Sequence, residues 1–416
     1  MKYLKKVFGG ELRQYSMVIA LVVITIIFDI ISGGRMITSS NFQNLISGNA
    51  YVLVLAIGML MVIVIGQIDL SVGSVAGFAG MVMALSARDF GLPWWLAVLL
   101  ALAIGAIVGA WQGFWLGKLG IPGFITTLGG MMIFRGGVIW ISKSISVPAP
   151  AELKVFGAGY LPEWGPAFTG MNNSTLLLGI IAIVVYVYKQ LSKYNRSKNL
   201  TEKSEEFWPV VVRIGLVSVV IGYLTWIFGT GRPGTSFPVP GLILVALVII
   251  YHIITQRTRF GRHIYAVGGN KSAAALSGVN VQKTYFLTML NMSLLAALAG
   301  ILFVGRSTAA GPSDGNGWEM DAIASVFIGG AAVSGGVGTV IATMVGGLVM
   351  CVLNSGLMLM GVGADRTQVI KGLVLLAAVA FDVFNKQQGR PSILGRLFPT
   401  KEGKFQEGNP ADKSFQ

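Results

Sequence analysis

The chain has 416 residues, of which 54% are apolar and only 12% charged, with a net charge of +14. Its charged share is about half that of an ordinary soluble domain, too little to cover a water-facing surface but suited to a protein whose outer solvent is lipid. These figures exclude a soluble globular enzyme and make the chain an all-α polytopic membrane protein.

A helix needs roughly 20 apolar residues to cross a hydrocarbon core of about 30 Å. Apolar blocks near that length occupy 15–31, 51–65, 70–87, 94–116, 124–141 and 175–188. Six more follow at 208–228, 239–254, 285–304, 321–333, 339–360 and 369–384. The blocks predict about twelve transmembrane helices within residues 1–384. Gly66 to Asp69 and Gly335 to Gly338 are expected breaks, where helices are interrupted or re-entrant. The first block follows a basic stretch and is too long for a signal-peptide core, so it reads as a retained span.

The positive charge is unevenly placed. With the N-terminus taken as cytoplasmic and sides alternating, the inner segments 1–14, 118, 189–207, 255–284 and 385–416 hold 21 Lys and Arg, and the outer segments hold 7. That bias is the positive-inside rule, and it predicts that both termini are cytoplasmic. Nucleic-acid binding would need a basic patch on a soluble face, and no soluble domain is legible.

Between the blocks, the outer segment 142–173 mixes Pro and Gly with Phe156, Tyr160 and Trp164, as an ordered cap with a short helix would. The inner segment 189–207 is Lys, Ser, Asn and Glu, which reads as a solvated connector. The tail 385–416 has the composition of a disordered cytoplasmic segment. In the fourth block Gly105, Gly109, Gly113 and Gly117 recur every four residues. They lie near one helix face and predict close approach of another helix, with pore lining as the alternative.

Catalytic and metal signals are sparse. The two histidines, His252 and His263, have no partner at metal-ligand spacing, and Cys351 sits inside an apolar block, where it packs as a small hydrophobe. No metal and no cofactor is expected on this chain. Polar residues at membrane depth are more informative, because they are costly there unless paired or lining water. Asp69 and Ser71 stand between two blocks, where a carboxylate can cap the following helix or touch a solute. Asn291, Asn354, Gln368 and Lys371 lie in or beside blocks and either link helices or hydrogen-bond a polar solute. Trp111, Trp115 and Trp140 add aromatic surface to otherwise charge-poor spans.

The inner segment 255–284 carries the strongest local pattern. Gly268-Gly269-Asn270-Lys271-Ser272 lacks the second Gly of a phosphate loop and follows no soluble strand. Asn270 or Ser272 can instead cap a short helix through Ala273, Ala274, Ala275 and Leu276, which Gly278 ends. A small Ala-rich helix flanked by basic residues suits docking into a groove on a partner.

The run from Ala266 to Asn270, followed by Ala273-Ala274-Ala275-Leu276-Ser277-Gly278-Val279, resembles the cytoplasmic coupling loop of permease subunits of bacterial ABC-type monosaccharide importers. Gly66-Gln67-Ile68-Asp69-Leu70-Ser71-Val72-Gly73-Ser74 is similar to that family's early-span signature. Asp321-Ala322-Ile323-Ala324, with Ile328-Gly329-Gly330 and Gly335-Gly336-Val337-Gly338, is a third match. Gln67 departs from the Gly that many members carry there. Within the family the chain looks most like the xylose and multiple-monosaccharide permeases, in which a ten-helix core gains an extra pair, placed here around 189–240.

The resemblance implies a permease in the bacterial inner membrane that works by alternating access, with a second permease subunit, most simply an identical one. It also implies a separate ABC ATPase carrying ATP and Mg, and an extracytoplasmic sugar-binding protein that docks on 142–173 and 305–320. The charge-poor spans suit a neutral sugar such as xylose, glucose, arabinose or galactose. A nucleoside, an autoinducer or a branched-chain amino acid is the nearer alternative. An ion-coupled secondary transporter would usually place paired acids or unwound ion sites at the midplane, for which Asp69 alone is a poor candidate.

Overall fold

The computed structural model describes residues 12–166, 169–200 and 206–386. The helices α1 (Leu12–Ile31), α2 (Ser39–Val64), α3 (Val72–Phe90), α4 (Trp94–Gly117) and α5 (Gly123–Ser142) come first. A short α6 (Lys154–Ala158) precedes α7 (Asn173–Leu200), α8 (Phe207–Gly229) and α9 (Val239–Arg257). After α10 (Arg259–Gly269) and α11 (Lys271–Leu276) come α12 (Val281–Ser307), α13 (Trp318–Ile328), α14 (Val340–Leu359) and α15 (Ala364–Lys386). Among the described residues the only strands are β1 (Val147–Pro148) and β2 (Ala309–Ala310), paired antiparallel.

Eight of these helices, α2, α4, α5, α7, α8, α9, α12 and α14, are long and apolar enough to cross a membrane. The remaining four apolar blocks fold as α1, α3, α13 and α15. The chain is an all-α polytopic membrane protein.

Helix α12 is the central post and packs against α2, α3 and α4. Its contact with α4 runs along the glycine face. A side chain at Gly105 would meet Ala297 and the Ser293 carbonyl, and one at Gly109 the backbone of Met289 and Leu290. Gly113 and Gly117 stand in the same way against Phe286 and Gln282. Four missing side chains let two backbones approach, which gains dispersion contact where lipid supplies no hydrophobic driving force.

Burial separates core from flank. In α2, 78% of the apolar window is buried inside the chain, against 11% in α7 and in α8. Those two helices pack on each other as a hairpin beside the bundle. Helix α7 runs without a break through Lys189, Lys193 and Arg196 to Leu200. Lys, Gln and Arg are good helix formers, so most of the expected connector extends the span as helix. The expected disordered tail lies, from residue 387, outside the described residues.

The tenth block departs most from expectation. Helix α13 has 11 residues, about 16 Å long and half a hydrocarbon core. The missing half of that crossing is not the Gly335–Gly338 break, which forms the turn from α13 into α14. It is the non-helical run 308–317. From β2 this run drops inward until Gly315 and Asp314 lie against the backbone of Gly73 and Gly77 on α3. Its composition of Gly, Pro, Ser and Asp mimics a surface loop, and Thr308, Ser313 and Asn316 are exposed, but Gly315 is buried against α3. The described residues of the 142–173 segment pack on the bundle. Leu153 is fully buried, Gly157 packs on Gly305 and Arg306, and Ala149 N–H donates to the Thr308 carbonyl at 3.0 Å.

Candidate functional site

The broken crossing places a helix start inside the bundle, and a cavity of about 590 Å³ opens there between α2, α13, α14 and α15. Its aromatic wall is Trp318, the first residue of α13, whose ring sits 4.2 Å from that of Tyr51 and 4.6 Å from that of Phe303. Met350 and Leu375 add apolar surface.

The polar wall holds Glu319, Asp321, Gln368 and Lys371. Both acids lie in the first turn of α13, where the helix dipole favours negative charge. Glu319 Oε2 is buried without a hydrogen-bond partner and lies against Gly73 of α3, with Arg135 of α5 near enough to act on its charge. Any side chain at Gly73 would strike this carboxylate and the Gly315 carbonyl. Lys371 Nζ donates to Asp321 Oδ2 at 2.9 Å. The Asp321 side chain is 8% exposed and that of Lys371 24%. A carboxylate and an ammonium at membrane depth are tolerable because each neutralises the other.

Gln368 and Lys371 lie on the cavity side of α15, and Asn354 sits beside Asp321 with its Oδ1 unpartnered. The other expected residues lie elsewhere. Asn291 accepts from Tyr251 Oη at 2.5 Å, a link between α12 and α9. Asp69 and Ser71 form a buried knot between α3, α4 and α5. Asp69 Oδ1 accepts from Ser71 N–H at 2.8 Å and from Ser71 Oγ at 2.6 Å, and Gln112 Nε2 donates to Ser71 Oγ at 2.6 Å. Ser71 is the residue before α3, so the carboxylate braces the helix start from one turn back. Of the aromatics anticipated in the spans, Trp140 is 82% exposed and Trp111 packs on Trp115 and Phe134. Tyr51, Trp318 and Glu319 were not anticipated. Their signal was two acids and a Trp directly after a Gly-rich run, at the mouth of an apolar block.

At the opposite end of α13 stands the 255–284 segment. Thr258 Oγ1 accepts from Gly261 N–H and starts α10, which was not expected as a helix. Gly261, Ile264 and Val267 form its buried face. Asn270 Oδ1 accepts from Ala273 N–H at 2.9 Å and starts α11, and Gly278, at φ +83°, follows its end. Gly269 has open space around it, while Gly268 packs against the Val64 carbonyl and Gly336. Tyr265 Oη donates to the Gly338 carbonyl at 2.6 Å, and Gly336 N–H to Val64 O at 2.8 Å. Helix α10 is therefore bonded to the turn that joins α13 to α14. Within α11, Ala274 faces the chain's own interior at 5% exposure and Leu276 projects at 91%. The expected docking face is corrected accordingly: Ala273, Ala275 and Leu276 look outward, and Ala274 does not.

Residues 41–379 match the family described as branched-chain amino acid transport system / permease component. The chain is 34% identical over 383 residues to the xylose transport system permease protein of Haemophilus influenzae, covering 91% of this chain and 98% of that one. It is 35% identical over 379 residues to the xylose transport system permease protein of Escherichia coli K12, covering 91% and 93%. The ribose import permease protein of the same strain is 32% identical over 377 residues, covering 91% and 95%. No solved structure matches.

Proposed function

Since the chain belongs to the branched-chain amino acid transport system / permease component family over residues 41–379, we propose that it is the membrane subunit of an ATP-driven importer of a neutral monosaccharide. The observation that carries the choice of solute is end-to-end similarity to permeases named for xylose and ribose. The geometry agrees. The spans offer amides, hydroxyls and an aromatic-walled cavity, with no Arg or Lys cluster to hold a phosphate.

In this reading the broken crossing makes twelve passes, and the positive-inside bias puts both termini in the cytoplasm. The α10–α11 segment then faces a separate ATPase, which carries ATP and Mg, and Leu276 is its projecting contact. A binding protein delivers sugar at the opposite end, near 142–173. Movement of α10 is passed on because Gly268 and Tyr265 grip Gly336 and Gly338 in the turn between α13 and α14, two helices that line the cavity. The ATPase must bind the two states unequally for that movement to do work. Asn316 and Gln368 are exposed on the open side of the cavity. Polar groups there suit a water-filled path closed by a second permease chain better than they suit lipid.

The test is uptake into vesicles containing the chain, its cognate ATPase and its binding protein. ATP-dependent accumulation of labelled xylose, ribose or glucose is expected. Accumulation driven by a proton or sodium gradient without ATP, or of charged solutes alone, overturns the reading.

A further inference from the structure

A permease fed by a binding protein can be a conduit indifferent to its solute, or it can hold a site of its own. The cavity at the start of α13 has the chemistry of a site. A monosaccharide presents an apolar face of ring C–H groups and a rim of hydroxyls that both donate and accept. Trp318 and Tyr51, with ring centroids 4.2 Å apart and planes inclined at 46°, supply apolar surface. The same lining holds Asp321 and Glu319 as acceptors, Lys371 as a donor and Gln368 as both.

The volume of about 590 Å³ falls in the range of small-molecule pockets, roughly 300–1,000 Å³. Lys371 is the one cation in the cavity lining and is already paired with Asp321, which leaves none free to hold the anionic group of a sugar acid or sugar phosphate.

We infer that this cavity is a monosaccharide-binding site within the permease, in which Trp318 and Tyr51 face the sugar ring and Glu319, Asp321, Gln368 and Lys371 hold its hydroxyls. The site selects neutral sugars against sugar acids and sugar phosphates, so selectivity is shared between the permease and the binding protein. This inference takes its ligand class from the importer reading.

A cysteine at Gly372 tests it, since that residue is exposed on the cavity wall, holds no part of the sugar, and has nothing within 4 Å of an added Cβ. The permease–ATPase complex carrying Gly372→Cys is treated with a thiol reagent, with and without saturating xylose, ribose or glucose. The unaltered chain, whose Cys351 is buried, sets the background. One of the neutral sugars is expected to slow alkylation about fivefold, as occupancy of a shared space should, and to leave a cysteine at Leu276 unaffected. The matching sugar acid should not protect, and adding Trp318→Leu should abolish protection by the neutral sugar. Absence of protection by any neutral monosaccharide, or equal protection by the sugar acid, overturns the site. Uptake by the unaltered complex is measured separately: sugar uptake without protection removes the site and leaves the importer, and protection without uptake does the reverse.

Discussion

Lys371 Nζ lies 2.9 Å from Asp321 Oδ2, and this ion pair ties α15 to the half-length helix α13. The two residues are 50 positions apart, and each charge is tolerable at membrane depth only because the other is there. Changing Lys371→Met alone, or Asp321→Asn alone, should therefore destabilise the protein by about 3 kcal/mol, since it strands a largely buried charge. The double change should recover most of that loss. Thermal unfolding of the four proteins in detergent measures it, and additive single effects would show that the pair is not coupled.

The two faces of α11 make opposite predictions. Leu276→Asp alters a side chain that touches nothing in this chain, so the unfolding temperature should hold while sugar-stimulated ATP hydrolysis falls about tenfold or more as a desolvated contact is lost. Ala274→Glu should instead lower stability by several kcal/mol, because it puts a charge into the chain's own packing. Hydrolysis at the unaltered rate in Leu276→Asp would move the ATPase contact off α11.

Helix packing can be tested within a single residue type. Gly109→Leu drives a side chain into the backbone of Leu290 and should cost about 1–3 kcal/mol or block assembly of α4 on α12. Gly129→Ala on α5, where nothing lies within 4 Å of the new carbon, should be neutral or slightly stabilising. Equal damage from both would mean that the glycines act through backbone flexibility rather than close approach.

Orientation follows from the charge bias. A membrane-impermeant thiol reagent applied to intact cells should label Lys154→Cys and miss Leu276→Cys, which should react only after permeabilisation. Labelling of both in intact cells would leave the twelve-pass arrangement untenable.

Much of this fold is legible in the sequence because the bilayer imposes a one-dimensional rule: a run of apolar residues long enough to cross will fold as helix. Eleven of the twelve apolar blocks coincide with helices, and the tenth ends in the turn after α13. Short-range chemistry was legible too, as in the Asn270 cap and Gly278 after α11, since a cap and its partner lie three residues apart. The bounds of the α7–α8 hairpin were less legible, because Lys189 to Leu200 is polar enough for a connector yet helix-forming enough to extend a span.

The sequence by itself determined that the chain lives in a membrane, how often apolar segments recur, and which local turns start and stop them. Tertiary structure alone decided which polar residues meet. Asp69 and Ser71 went into a structural knot with Gln112, Asn291 went to Tyr251, and Lys371 went to Asp321. It also decided that Asp314 and Gly315, in a run with the look of a surface loop, pack against Gly77 and Gly73 just ahead of Trp318 and Glu319 at the cavity. Each of those outcomes depends on a contact between residues at least 40 apart. Which of several buried polar groups finds which partner is set by the packing of α12 and its neighbours, not by spacing along the chain.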